Sequence, residues 1–201
     1  MVMQKLRMAT QPLHVAVERR LDLLRDGYNL REYCELLELF GGFYAPLEDR
    51  LADTFATAVF AFDFARRRKT PCILEDLVRL GRDIHSLNGI NLCHRLPNVD
   101  SVPRALGSTY VLEGATLGGQ LLSKHFHQQI GVSAEKGGSF FHSYGDQVGS
   151  MWKDFGAVLT GYADRHPSQQ EEIVAAAVET FQCLLDWAQV RLAQTIKPAT
   201  A

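Results

Sequence analysis

The chain has 201 residues, long enough for one domain with a substantial core, and no composition shift divides it, so a single domain over 1–201 is expected. Hydrophobic residues make up 46% and charged residues 22%, which excludes disordered and collagen-like classes. A formal net charge of −2 provides no general pull toward nucleic acid or an anionic membrane.

No uninterrupted apolar run of about 18 residues occurs. The opening MVMQKLRMATQPLH lacks the apolar core and cleavage site of a secretory signal, so a cytoplasmic location is expected. Cys34, Cys72, Cys93 and Cys183 lie far apart with no CxxC spacing, which argues for reduced, mostly structural thiols.

From Met3 to Arg25, Leu6, Ala9, Leu13, Val17, Leu21 and Leu24 recur at threes and fours and predict an amphipathic helix. Pro12 falls within it, either as an early-turn residue with Thr10 as cap or as a kink after a short leading turn. Gly27 and Asn29 should stop this helix and cap the next, which runs from Leu30 to Phe55 and bends around Gly41, Gly42 and Pro46. The segment 56–69 turns from apolar to basic; Thr70 and Pro71 then offer a cap and first-turn proline for a helix to His85. A loop is expected over 86–101. After Gly131 a turn with Gly137 and Gly138 leads into one helical segment over 139–166, ended by His166 and Pro167. Ser168 and Glu171 form a capping-box pattern for a last helix that buries Ile173, Ala177, Val178, Phe181, Leu184, Leu185 and Ala188. No segment alternates with period two, so the fold class is all-α, a bundle of about six to eight helices.

The stretch 107–127, GSTYVLEGATLGGQLLSKHFH, is a helix-like apolar segment carrying Gly114, Gly118 and Gly119. Each glycine costs about 1 kcal/mol against alanine in a helix, so something must offset it. Close helix–helix packing is one offset, since residues four apart share a face. A flat ligand laid on bare backbone is the other.

In the first helix Arg7, His14 and Glu18, spaced by seven and four, form a stripe on one face. The stripe is either a solvated polar face or one wall of a ligand slot. In the second case His14 is an iron ligand, Glu18 fixes its ring and Arg7 anchors a carboxylate.

The motif LRMATQPLHVAVE resembles the proximal helix of heme oxygenases, and LGSTYVLEGATLGGQ resembles their distal helix, especially in the bacterial branch found with bacteriophytochromes. SMWKDFGAVLTG is similar to the family's basic-and-aromatic segment and ETFQCLLDWAQ to its C-terminal helix, so the likeness covers most of the chain. It implies a multi-helix bundle with heme b, both substrate and cofactor, between the proximal helix and a kinked, glycine-rich distal helix. His14 would ligate iron, Glu18 would orient it, Gly114 and Gly118 would face the open side as catalytic positions, and Gly119 would contact the cofactor. Arg7, Lys124 and Lys153 match propionate-contacting positions, and Phe181 a pocket-lining aromatic. The implied reaction opens heme with dioxygen and reducing electrons to biliverdin, ferrous iron and carbon monoxide. Implied partners are an electron donor (a ferredoxin, a flavodoxin or an NAD(P)H reductase) and a bacteriophytochrome receiving biliverdin. The family's distal aspartate falls here at Ala115, which implies a changed water network.

A di-iron bundle needs Glu-x-x-His pairs, and none occurs. A thiaminase-like use of Glu179 and Cys183 competes with plain burial of that cysteine. His125 and His127, two apart, cannot share a metal from one helical face and are expected to be surface or satisfied residues. A heme carrier or sensor of the same fold would need the same slot. The run Arg66, Arg67, Arg68 and Lys69 reads as a solvated helix end or as a dock for an acidic electron donor.

Overall fold

The structure is a computed structural model that describes residues 1–83 and 90–195; among these there is no strand. Six long helices and one single-turn helix carry the fold: α1 (Val2–Leu21), α2 (Leu30–Thr57), α3 (Thr70–Arg79), α4 (Val102–Ile130), α5 (Ser139–His142), α6 (Val148–Arg165) and α7 (Gln170–Thr195). Helix α3 ends at Arg79, short of the predicted His85, because Leu80 caps it and Gly81 turns the chain in the left-handed region (φ 82°); Ile84, His85 and the start of the predicted loop lie outside the described residues.

Helix α4 is the axis of the assembly. It packs most extensively on α7, which also carries α1, while α2 pairs with α3. The α4–α7 crossing is close because its residues are small. A Cβ on Gly107 would lie 2.1 Å from the Ile173 carbonyl oxygen, and the buried Ser108 and Thr180 hydroxyls meet at 2.8 Å beside it. Around this crossing Leu6, Leu37, Phe43, Leu47, Leu106, Phe126, Phe155 and Leu159 are fully buried. The expected face of α7 is buried at Ile173, Ala177, Phe181, Leu184 and Ala188, with Val178 and Leu185 partly covered.

Several predicted boundaries move, each for a local reason. Pro12 neither starts nor divides α1; the helix runs through it, because only the carbonyl of exposed Met8 loses its partner. Thr10 is not a cap, since its hydroxyl donates back to the Leu6 carbonyl at 2.8 Å. The helix ends at Leu21, where Asp22 adopts a left-handed conformation and its N–H reaches the Glu18 carbonyl, four residues short of the predicted end at Arg25 and well before Gly27 and Asn29. Asn29 does cap α2, in a reciprocal box with Glu32. The cap of α3 is Lys69 and not Thr70. The carboxylate of Glu48, from α2, accepts the N–H groups of Lys69 at 2.6 Å and Thr70 at 3.1 Å. A tertiary anion thus does what a local cap would do. The segment predicted as one helix over 139–166 is broken at Ser143 (φ 54°) and Gly145 (φ 56°) into α5, a 3₁₀ turn and α6. Finally, α7 begins at Gln170 after a 3₁₀ turn over Pro167–Gln169, and the Glu171 carboxylate pairs with Lys5 of α1 at 2.9 Å.

Candidate active site between the first and fourth helices

A cavity of about 1010 Å³ separates α1 from α4, at the upper end of the ~300–1,000 Å³ common for small-molecule sites. Arg7, His14 and Glu18 line its α1 wall; Gly114, Ala115 and Gly118 line its α4 wall; Phe181 and Leu184 of α7 and Trp152 of α6 complete it. The sequence stripe and the glycine segment are therefore two sides of one slot.

On the α1 wall, His14 Nδ1 lies 3.5 Å from Glu18 Oε2, one helical turn away, with Nε2 on the other side of the ring. The His14 side chain is 53% exposed, and Phe181 meets its ring edge-on at 5.7 Å between centroids. Toward the N-terminal end, Tyr110 of α4 is hydrogen-bonded with Thr10 and lies near Arg7; burial raises its pKa, against a lowering by both neighbours. Its ring is tilted against Trp152 at 5.6 Å. Neither Tyr110 nor Trp152 was singled out from sequence, where an aromatic residue in an apolar helix is indistinguishable from core.

The α4 glycines do different jobs. A Cβ on Gly118 would meet nothing within 4 Å, and one on Gly114 only the Trp152 ring at 3.9 Å, so these two leave open space. Gly119 is expected from sequence to contact the cofactor, beside the catalytic positions Gly114 and Gly118. It borders the cavity too, but a Cβ there would lie 2.7 Å from the Phe141 carbonyl oxygen, so its bareness serves the approach of α5 to α4. The helix remains α through all three.

Behind this wall lies a charge network that the sequence did not reveal. Glu113, 2% exposed, receives a hydrogen bond from Arg67 Nη1 at 2.5 Å and another from the Tyr144 hydroxyl at 2.7 Å. Arg67 also donates to the Met151 carbonyl at 3.2 Å. Burial and the Glu113 charge push the Tyr144 phenol well above its ordinary pKa and keep it a donor. The one available signal was a glutamate inside the apolar run YVLEGATLGG, since a buried carboxylate needs a partner.

The basic run is consequently not a solvated helix end, and most of it is engaged within the fold. No α-helix ends there; Arg67 forms a 3₁₀ turn and faces Glu113, Arg68 pairs with Asp49, Lys69 is buried and Arg66 alone is exposed. Lys69 borders the inner end of the cavity, and burial lowers its ammonium pKa to about 8.

Lys124 and Lys153 are exposed and do not line the cavity. His125 and His127 bond the carbonyls of Arg25 and Val132, both at 3.0 Å. Cys183 is a buried thiol raised to about 11 by burial, and Glu179 is paired with Arg104, an arrangement opposed to nucleophilic use. Among the described residues no three His, Cys, Asp or Glu side chains gather as a metal cluster. One helical stretch, Pro167–Gln194, is long and apolar enough to cross a membrane by composition, but half of its apolar window is buried against the rest of the fold.

Fold and site together define an all-helical protein with a cavity between an imidazole-bearing helix and a glycine-bared one. The heme oxygenase family model matches residues 1–190, and the chain belongs to that family. It is a heme oxygenase enzyme, acting in heme degradation. The NO- and CO-bound heme oxygenase of Neisseria meningitidis is similar in fold, with a TM-score of 0.77 at 18% identity over 100% of this chain and 94% of that one. The heme oxygenase of Leptospira interrogans gives 0.69 at 19% identity, over 94% of this chain and 98% of that one. No curated protein matches the sequence.

Proposed function

We propose that heme is seated in the α1–α4 cavity with His14 as its iron ligand through Nε2, and is oxidatively opened there. The observation that carries this reading is the pairing across the slot: an imidazole whose Nδ1 faces Glu18 on one wall, and the empty Cβ position of Gly118 on the other. Bound heme supplies the iron that activates dioxygen and is itself the molecule opened to biliverdin, ferrous iron and carbon monoxide. Glu18 holds the His14 ring in one tautomer and makes it a better donor. Gly114 and Gly118 leave room for dioxygen and expose backbone on the open face. Phe181 braces the His14 ring, and Arg7 offers a guanidinium to a propionate at the mouth. Lys124 and Lys153, outside the lining, would reach propionates only through their long side chains at the rim. Electrons come from a ferredoxin, a flavodoxin or an NAD(P)H reductase, and a bacteriophytochrome is a fitting recipient of the bilin. Four free thiols suit a reducing, cytoplasmic setting.

Heme titration followed by ascorbate under air tests the assignment. The wild-type chain should give a histidine-ligated Soret band that decays into bilin absorption, and His14→Ala should lose that ligation signature. An unchanged spectrum in His14→Ala refutes the ligand; a Soret band that persists without bilin makes the chain a carrier or sensor.

A further inference from the structure

Reduction of dioxygen consumes protons, and the α4 wall offers few uncommitted groups that could provide them: Ala115 and Gly118 carry no polar side-chain atom, Thr116 donates its hydroxyl to the Glu113 carbonyl at 2.7 Å, and the Tyr110 phenol is hydrogen-bonded with Thr10. At the inner end of the same cavity lies the amine of Lys69. One of its N–H bonds goes to the Arg67 carbonyl at 3.1 Å, and the ammonium sits 3.4 Å above the Tyr144 ring centroid. Among the described residues no carboxylate forms an ion pair with it. The nearby anions are already engaged, Glu113 by Arg67 and Tyr144, and Glu48 by the N–H groups of Lys69 and Thr70. A buried ammonium with spare donor capacity on a cavity wall is an arrangement that burial alone does not favour.

We propose that Lys69 is the proton source for the cavity, acting through water held between its ammonium and the α4 wall. The proton leaves Lys69 Nζ for that water as the water passes one of its own to the dioxygen-derived oxygen. The amine is left neutral and regains its proton from solvent through the mouth. Glu113, Glu48 and Cys72 favour the charged amine, whereas Arg67 and burial favour the neutral one, so the balance falls where a proton can be both held and released near neutral pH. Lys69 is thus a positioning and proton-donating residue that works through water, and the proposal rests on heme occupying the cavity.

The test separates the two. Heme binding and the His14→Ala spectrum report on the site alone. For Lys69, protein lacking heme is prepared with 13C-labelled lysine, and the Lys69 resonance is identified by its absence from Lys69→Arg. It should titrate with a midpoint near the value of about 8 given by its surroundings and move when heme is added. Lys69→Met should bind heme like the wild type but turn over about tenfold to a hundredfold more slowly and divert reductant to hydrogen peroxide. Wild-type turnover should decline above the Lys69 midpoint, a limb absent from Lys69→Met. Lys69→Arg keeps the charge without a releasable proton, protects the test if the methionine variant folds poorly, and should show the same loss. A resonance titrating only with the surface lysines overturns the proposal. So does a wild-type rate, peroxide yield and pH profile in Lys69→Arg or Lys69→Met.

Discussion

Alanine at Gly118 and alanine at Gly119 should have opposite effects, although the residues are neighbours on one helix. Either substitution gains roughly 1 kcal/mol of helix propensity. At Gly118 nothing within 4 Å opposes the new methyl, so the heme-free protein should gain nearly all of it. For a chain of this size that is a rise in Tm of roughly 2–4 °C. At Gly119 the methyl would sit 2.7 Å from the Phe141 carbonyl oxygen, a backbone atom that cannot rotate away, so α5 must shift. Overpacking of this kind costs about 1–3 kcal/mol, which cancels or exceeds the gain and lowers or at best preserves Tm. Heme affinity should divide them differently: Gly118→Leu, tolerated by the empty fold, should weaken binding at least about tenfold because its side chain enters the space a macrocycle needs, a loss of ~1.4 kcal/mol. Thermal unfolding of the heme-free variants and heme titration read both. Equal destabilisation by the two alanines would show that the open wall at Gly118 does not exist in solution.

Glu113→Gln should destabilise by about 3–5 kcal/mol by leaving the Arg67 charge buried and uncompensated, and the double variant Arg67→Met/Glu113→Gln should recover much of that loss in urea denaturation. Glu48→Ala should cost about 1–2 kcal/mol through the exposed N-terminus of α3, with hydrogen exchange rising first at the Lys69 and Thr70 amides. Lys69 has a pKa of about 8 when folded against an ordinary 10.5, so the unfolded chain binds more protons between those values and stability should rise with pH across that window. The rise is on the order of 3 kcal/mol if the shift holds in full, and pH-dependent denaturation of Lys69→Met should lack it.

What could be read from sequence followed from how far each interaction reaches along the chain. The stripe Arg7, His14, Glu18 is a property of one helix, and periodicity places all three on the wall they occupy. The glycine segment was readable as an anomaly but not as a division of labour. Whether a glycine admits a neighbour or leaves a gap depends on what faces it, and Phe141, which faces Gly119, lies twenty-two residues away. The capping of α3 failed as a prediction for the same reason: Pro71 does sit in the first turn, but Glu48 reaches the helix end from another helix and the plausible local cap Thr70 goes unused. The basic run was misread because four consecutive cations look solvated until a buried glutamate is found for one of them.

The charge network behind α4 shows how that helix can carry bare backbone at all. A helix stripped of side chains on one face has lost packing that would fix its rotation about its own axis. Here the opposite side compensates. Glu113, immediately before Gly114, is clamped by Arg67 and Tyr144, and Gly107 and Gly119 seat the helix against α7 and α5 at separations no larger residue allows. The wall facing the ligand is therefore held from behind, which lets the open face be shaped for heme and dioxygen without also having to secure the fold. Loosening that clamp should consequently change heme spectra and product distribution even though none of its members lines the cavity, and a Tyr144→Phe variant, which removes one hydrogen bond while leaving the ring beneath Lys69, is the smallest perturbation that should do so.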